Sequence, residues 1–241
     1  KMIRLDRFGV AAEVVKCVEG PELAEPEAGE IVIRMLRMPI NPSDLLQTTG
    51  RYGAVPPPLP LYMGREGVGR VERLGAGVTT RKVGDLVIPL PPPTWRTHVR
   101  AKAEAVIPLP AGVDITQAAM LKANPATAAL MLRDIVPLQA GDWVVQNAGN
   151  SAVGVYLARL AAREGIRTLN IVRRLEAGAP LAGIEGAVVI AHDGGPTARL
   201  AADVQAALAY VVKAHPGVPI VLWGSSFSAA MRRPRRSSLD R

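Results

Sequence analysis

The sequence predicts an α/β protein in two parts, a β-rich region followed by a parallel sheet layered between helices, and three observations predict it. Across roughly the first 120 residues, short apolar stretches are punctuated by glycine and proline, the pattern of strands joined by tight turns. From about residue 115 onward, strand-length apolar runs alternate with helix-length segments, and such alternation buries a parallel sheet beneath helices on both faces. The chain has 241 residues, 49% hydrophobic and 21% charged, enough for one large core or two ordinary ones. Aromatic residues make up 4%, so the core must be built from Val, Ala, Leu and Ile.

Taken in order, Val32, Val71 and Leu86-Val87-Ile88 lie in the apolar stretches of the first part. The runs 56–60 and 89–93 are rich in proline and read as stiff loops, because proline donates no ladder hydrogen bond. A pocket wall suits them better than a ligand for a proline-binding module. Helical spacing over 115–134 is interrupted at Pro125. Ala140-Gly141-Asp142 signals a turn, and 143–147 follows as a short apolar strand. Residues 152–164 form an alanine- and leucine-rich helix stopped by Gly165. Strands are expected at 168–172, 187–191 and 219–223, with a helix at 199–214. A complete dinucleotide-binding sheet has about six strands, so these four imply a Rossmann parallel-sheet domain, C-terminally truncated. The expected boundaries are 1–115 for the β domain, 116–230 for the sheet domain and 231–241 for a basic tail.

The net charge of +8 does not mark a nucleic-acid binder. Five arginines against Asp240 place +4 in the last ten residues, and the other +4 is ordinary for the rest. No specific nucleic acid is expected as a partner. The single cysteine, Cys17, excludes an intramolecular disulfide and a cysteine-rich zinc site within the chain. No apolar run is long enough to span a bilayer and no signal peptide is recognisable, so a soluble intracellular protein is the expectation.

Chemistry enters at 146–154, Gln-Asn-Ala-Gly-Asn-Ser-Ala-Val-Gly, between a strand and a helix. Small residues there let a dinucleotide approach, and the helix N-terminus favours the pyrophosphate charge. Ala148 and Asn150-Ser151 stand near where a strict pattern would have glycines. An ordinary strand-to-helix turn with Asn and Ser as caps is the alternative. The next strand separates the two readings. An NAD site ends it in Asp or Glu to hold the ribose 2′-OH, whereas here it ends Ile171-Val172-Arg173-Arg174, two guanidiniums that fit a 2′-phosphate. NADPH is the expected cofactor.

The segment 63–71, Met-Gly-Arg-Glu-Gly-Val-Gly-Arg-Val, resembles a motif of the medium-chain dehydrogenase/reductase superfamily. Zinc-dependent members of that superfamily carry His in the place of Arg65, and cysteine ligands that this chain lacks. Asn41-Pro42-Ser43-Asp44, Gly50-Arg51-Tyr52-Gly53, Thr94-Trp95-Arg96-Thr97, 123–128, 146–154 and 168–173 are similar to the zinc-free branch of mitochondrial-type trans-2-enoyl-CoA reductases. The resemblance covers roughly residues 30 to 175 in register. It implies a GroES-like β domain ahead of the Rossmann domain. It also implies NADPH-dependent reduction of the 2,3 double bond of enoyl-CoA or enoyl-ACP in fatty acid synthesis, without a metal. Tyr52 matches the family's proton donor, and a phenol can donate to the thioester oxygen or an enolate while neutral at pH 7. A loop-packing aromatic is the plainer reading of Tyr52. Trp95 is expected either along the same cleft or in the scaffold. Asn124, Asn147, Asn150, Ser151, Ala152, Val153, Arg173 and Arg174 match cofactor-holding positions, and Leu175 stands where the family has a further basic residue. The expected compartment is a bacterial cytoplasm or the mitochondrial matrix, and a homodimer stays open.

Three other readings remain. A zinc-free quinone oxidoreductase shares the fold. The segment 223–229 follows an apolar strand and resembles the nucleophile elbow of α/β-hydrolases, with Ser226 as nucleophile. That fold's histidine follows its serine, whereas His98, His192 and His215 all precede Ser226, so a serine hydrolase fragment fits poorly. The same stretch suits the fourth strand and turn of the dinucleotide sheet, or a segment spliced on near residue 192. The last reading is an inactive fragment that binds nucleotide.

Overall fold

In the computed structural model the described residues are 1–21, 23–53 and 55–191, the helical positions 209, 211 and 213, and the backbone of 220–223. The chain divides into two compact units, Lys1–Ala123 and Asn124–Arg241. The division lies beyond residue 115, because Ile115, Ala118, Ala119 and Leu121 pack against Val68 of the first unit.

The first unit contains β1 (Met2–Leu5), α1 (Ala11–Val14), β2 (Val15–Val18), β3 (Glu30–Arg37), α2 (Pro42–Thr48), β4 (Leu61–Tyr62), β5 (Val68–Leu74), β6 (Leu86–Pro89), β7 (His98–Lys102), β8 (Val106–Pro108) and α3 (Ile115–Ala118). Its strands pair antiparallel in a five-stranded sheet of order β7-β3-β5-β6-β8 and a three-stranded sheet of order β2-β1-β4. The period of two along β3 explains the larger sheet. Ile31, Ile33 and Met35 alternate onto one core with Val71, Val87 and Val99. β5 closes against β3 at Gly69, where a Cβ would come within 2.4 Å of the Ile33 side chain. Pro89, expected in a loop, is instead the last residue of β6, opposite Val106, an end position that a ladder tolerates. The other prolines of the two runs lie in loops.

The second unit contains α4 (Asn124–Arg133), β9 (Trp143–Asn147), α5 (Ala152–Arg163), β10 (Arg167–Val172), a short 3₁₀ segment (Leu175–Leu181), β11 (Ala187–Ala191) and β12 (Ile220–Trp223). The four strands run parallel in the order β11-β10-β9-β12. β9 and β10 are buried almost end to end, as parallel strands covered on both faces must be. Leu157 and Ala161 of α5 pack with Ala128 and Leu132 of α4, while Ala158 meets Val172 and Leu181. The helical spacing over 115–134 resolves into two helices. Pro125 does not interrupt the second; it is the second residue of α4, where its missing N–H has no intrahelical partner to lose. α5 ends with Gly165 at φ +70°, its N–H donating to Ala162 O at 3.1 Å and the Ile166 N–H to Ala161 O at 2.9 Å.

β12 pairs with β9, Ile220 opposite Trp143, so this apolar run is the fourth strand of the sheet. The hydrolase-like turn with Ser226, the basic tail 231–241 and most of the expected helix 199–214 lie outside the described residues. Among the described residues no helix is long and apolar enough to cross a membrane.

Candidate functional site

In the first unit the site is assembled around α2. Pro42 opens the helix, and the Asn41 N–H donates to Asp44 Oδ2 at 2.8 Å, which satisfies a donor at the helix start. The helix closes with Gly50 at φ +70°. The Gly50 N–H donates to Gln47 O at 3.1 Å and the Arg51 N–H to Leu46 O at 3.2 Å, a pairing that needs a left-handed residue after the cap. Gly50 also lies flat on Phe8, whose ring a Cβ would meet at 3.1 Å. The chain thus leaves α2 in a set direction and presents Tyr52. This tyrosine is half-buried, and the Arg65 guanidinium carbon stands 5.6 Å from its ring centroid.

Behind Arg65 lies a buried acid. Glu66 Oε2 accepts from Asn41 Nδ2 at 2.8 Å, and Oε1 accepts from the Ala123 N–H at 2.7 Å. Lys122 Nζ donates to Arg65 O at 2.8 Å and to Leu90 O at 2.6 Å. Glu66 therefore ties the start of α2 to the last residue before Asn124. Trp95 belongs to the scaffold: its Nε1 donates to Pro39 O at 3.1 Å, and its ring packs with Leu5 and Met63. Both proline runs wall an open cleft that Arg65 and Arg96 also line.

Asp44 is buried beneath this loop, and one of its oxygens, Oδ1, has no partner among the described residues. Burial pushes its carboxyl above the ordinary value of 3.8, against the pull of the Asn41 N–H and of the Arg65 charge. A carboxyl whose pKa is raised on folding costs nothing below its unfolded pKa, and the cost grows as pH rises through the folded value. Asp44→Asn is therefore expected to melt at the same temperature as wild type at about pH 3.5 and above it at about pH 7. Thermal unfolding at the two pH values checks this. A constant difference between the two proteins would show that the charge carries no such penalty.

In the second unit the segment 147–154 joins β9 to α5. Ala148 sits at φ +46°, and Ser151 caps α5, its Oγ accepting from the Gly154 N–H at 3.1 Å. Gly149 lies on β10, where a Cβ would come within 2.6 Å of Asn170 Cβ, and its N–H donates to Ile171 O at 3.1 Å. At Gly154 a Cβ would come within 2.5 Å of Gly149 O. Both positions exclude side chains, so the turn folds down on the sheet and leaves Asn150 and Ala152 exposed. Arg173 and Arg174 are exposed just past β10, whose Ile171 is the register partner of Asn147.

The structure thus brings Asn147, Asn150, Ser151, Ala152, Val153, Arg173 and Arg174 together at the C-terminal ends of β9 and β10. Asn124 opens α4, nearly buried, with its Nδ2 unpartnered among the described residues. Tyr52 belongs to the first unit. Leu175, in place of a basic residue, is 62% exposed and offers the turn no charge. Residues that sequence reasoning passed over are Glu66, Gln146 and Asn170, all buried. For Gln146 and Asn170 the available signal was a polar residue inside an apolar strand; Glu66, ahead of β5, carried none.

Residues 27–111 match the alcohol dehydrogenase GroES-like domain. Mitochondrial enoyl-[acyl-carrier-protein] reductase of Homo sapiens is 44% identical over 167 residues, 68% of this chain and 44% of that protein. The chain therefore spans less than half the length of that relative. Among solved structures, an NADPH:quinone reductase from Bacillus thuringiensis aligns with a TM-score of 0.73 at 33% identity, over 85% of this chain and 62% of that one. A mutant form of enoyl thioester reductase from Candida tropicalis aligns with a TM-score of 0.67 at 29% identity, over 80% of this chain and 60% of that one. The antiparallel β unit, the parallel sheet of order β11-β10-β9-β12 and these likenesses agree: the chain has the fold of the medium-chain dehydrogenase/reductase proteins, and over 68% of its length its sequence is similar to a mitochondrial enoyl-[acyl-carrier-protein] reductase.

Proposed function

We propose that the chain carries the proton-donating and cofactor-holding parts of an NADPH-dependent reductase of 2-enoyl thioesters, enoyl-CoA or enoyl-ACP. The observation that carries this reading is the end of β10. Two exposed arginines follow Val172, beside a turn held to Ile171 O through the Gly149 N–H at 3.1 Å. Paired guanidiniums offer a 2′-phosphate forked hydrogen bonds where an acidic residue would serve NAD. The residues present fit the dinucleotide: the turn is flattened by glycines that admit no Cβ, and Asn124 Nδ2 is a nearly buried donor that a ligand oxygen can take.

When bound, NADPH supplies the hydride that reduces the β-carbon of the enoyl thioester. The N-terminus of α5 holds the pyrophosphate, and Arg173 and Arg174 grip the 2′-phosphate. The Tyr52 hydroxyl is the proton donor to the α-carbon of the enolate. Arg65 stands against the Tyr52 ring, 5.6 Å from its centroid. Such a chain works where enoyl thioesters are made, in a bacterial cytoplasm or the mitochondrial matrix. Quinone reduction is the second reading, favoured by the Bacillus thuringiensis relative. The higher identity to an enoyl-[acyl-carrier-protein] reductase, 44% against 33%, sets it behind.

The test is thermal unfolding of the chain with NADPH and with NADH. A ligand held at about a hundred times its Kd adds about 2.7 kcal/mol to the folded state. NADPH is expected to raise the melting temperature and NADH far less, with the gap closing in the Arg173→Ala, Arg174→Ala double variant. Equal shifts from both nucleotides, or none, would overturn the cofactor assignment.

A further inference from the structure

Beneath the 147–154 turn lies a chain of buried amides. Gln146 and Asn170 are register partners on β9 and β10, and both side chains are buried with Thr168. Gln146 Nε2 donates to Gly154 O at 2.9 Å and to Asn170 Oδ1 at 2.6 Å. Asn170 Nδ2 in turn donates to Thr168 Oγ1 at 3.0 Å and to Val188 O at 3.1 Å. The chain has one possible direction. Gly154 O and Val188 O are backbone carbonyls and can only accept, so each amide must turn its NH₂ toward one of them. Asn170 is then left with its oxygen for Gln146, and every hydrogen of the two amides is used.

An apolar pair would fill the same space more cheaply, since buried polar groups lose water and must recover each hydrogen bond. What the amides add is direction. One end of the chain grips the carbonyl of Gly154, three residues into α5, and the other grips β11. Gly149 rests directly on Asn170, with no room for a Cβ between them. The height and tilt of the turn over the sheet are thus set by the Gln146–Asn170 pair, and the glycines supply only the clearance.

We propose that Gln146 and Asn170 are positioning residues for the dinucleotide: their coupled amides fix the start of α5 and the 147–154 turn where a pyrophosphate is received. This rests on the cofactor reading given above. The two residues act through the turn and touch no ligand themselves.

The experiment is calorimetric titration of the full chain with NADPH and with adenosine 2′-monophosphate, which carries the 2′-phosphate but no pyrophosphate. Gln146→Met keeps the volume and removes the donors. Thr168→Val keeps the shape and removes one of the acceptors of Asn170 Nδ2. The expected result is a loss of NADPH affinity of about tenfold for Gln146→Met and about threefold for Thr168→Val, with adenosine 2′-monophosphate bound as by wild type in both. Equal weakening of the two ligands would show a merely structural role and overturn the proposal, as would unchanged NADPH affinity in both variants. Should Gln146→Met not fold, Thr168→Val decides by the same comparison. Wild type that binds neither ligand would instead fail the cofactor reading, and this inference with it.

Discussion

Tyr52→Phe is expected to lower the rate of enoyl thioester reduction by about a hundredfold or more while leaving NADPH binding as it was. The substitution removes a single oxygen. The aromatic face stays, and with it the contact to the Arg65 guanidinium 5.6 Å from the ring centre, so the loop after α2 has no reason to move. Gly50 still directs the chain out of the helix through its own hydrogen bond to Gln47. In the proposed mechanism what is lost is the proton donor for the α-carbon, and general acids in such positions are worth about two to four orders of magnitude. Steady-state rates with crotonyl-CoA, followed through NADPH consumption, check the effect alongside the melting temperature. A full rate in the phenylalanine variant would return Tyr52 to a packing role. A lost rate together with a lost melting transition would mean that the ring was holding the loop.

Gly64→Ala should destabilise the first unit by about 3 kcal/mol or more, whereas Gly77→Ala should cost only about 1 kcal/mol. Both glycines have positive φ, +96° and +77°, so each alanine is strained in its backbone. They differ in what surrounds them. A Cβ at Gly77 meets nothing within 4 Å, but one at Gly64 would come within 2.4 Å of the Trp95 backbone nitrogen and ring. That nitrogen is fixed by its bond to Met63 O at 3.0 Å, and the ring by its bond to Pro39 O, so neither can yield cheaply. Urea unfolding of the two variants against wild type measures the difference. Similar losses would mean that backbone strain, not the approach of Trp95, is the cost at both positions. Because Arg65 follows Gly64, the same clash would displace the cation beside Tyr52.

Much of the second unit was legible because its signals are local. The run 143–147 is apolar, and Gly165 stops the helix before it; β9 has the expected bounds and α5 ends one residue sooner, at Arg163. The place of Arg173-Arg174 just past the second strand was readable because an apolar run ending in two charged residues marks a strand end. Pro125 was misread as a break, since proline penalises a helix interior but not its first turn, and spacing alone does not say where a turn begins. Pro89 was misread in the same way, because a strand end cannot be told from a loop without its partner Val106.

The sequence by itself determined the two-part α/β architecture, the place of the strand-to-helix turn at 147–154 and the tyrosine that follows α2. Only the tertiary structure decided that Trp95 is scaffold, that Glu66 joins Asn41 to Ala123, and that Gln146 reaches Asn170 and Gly154. The physical reason is the same in each case. Periodicity and turn chemistry act within a few residues, whereas a buried polar group is held by whichever donor or acceptor the fold carries to it, here from as far as 57 positions away along the chain.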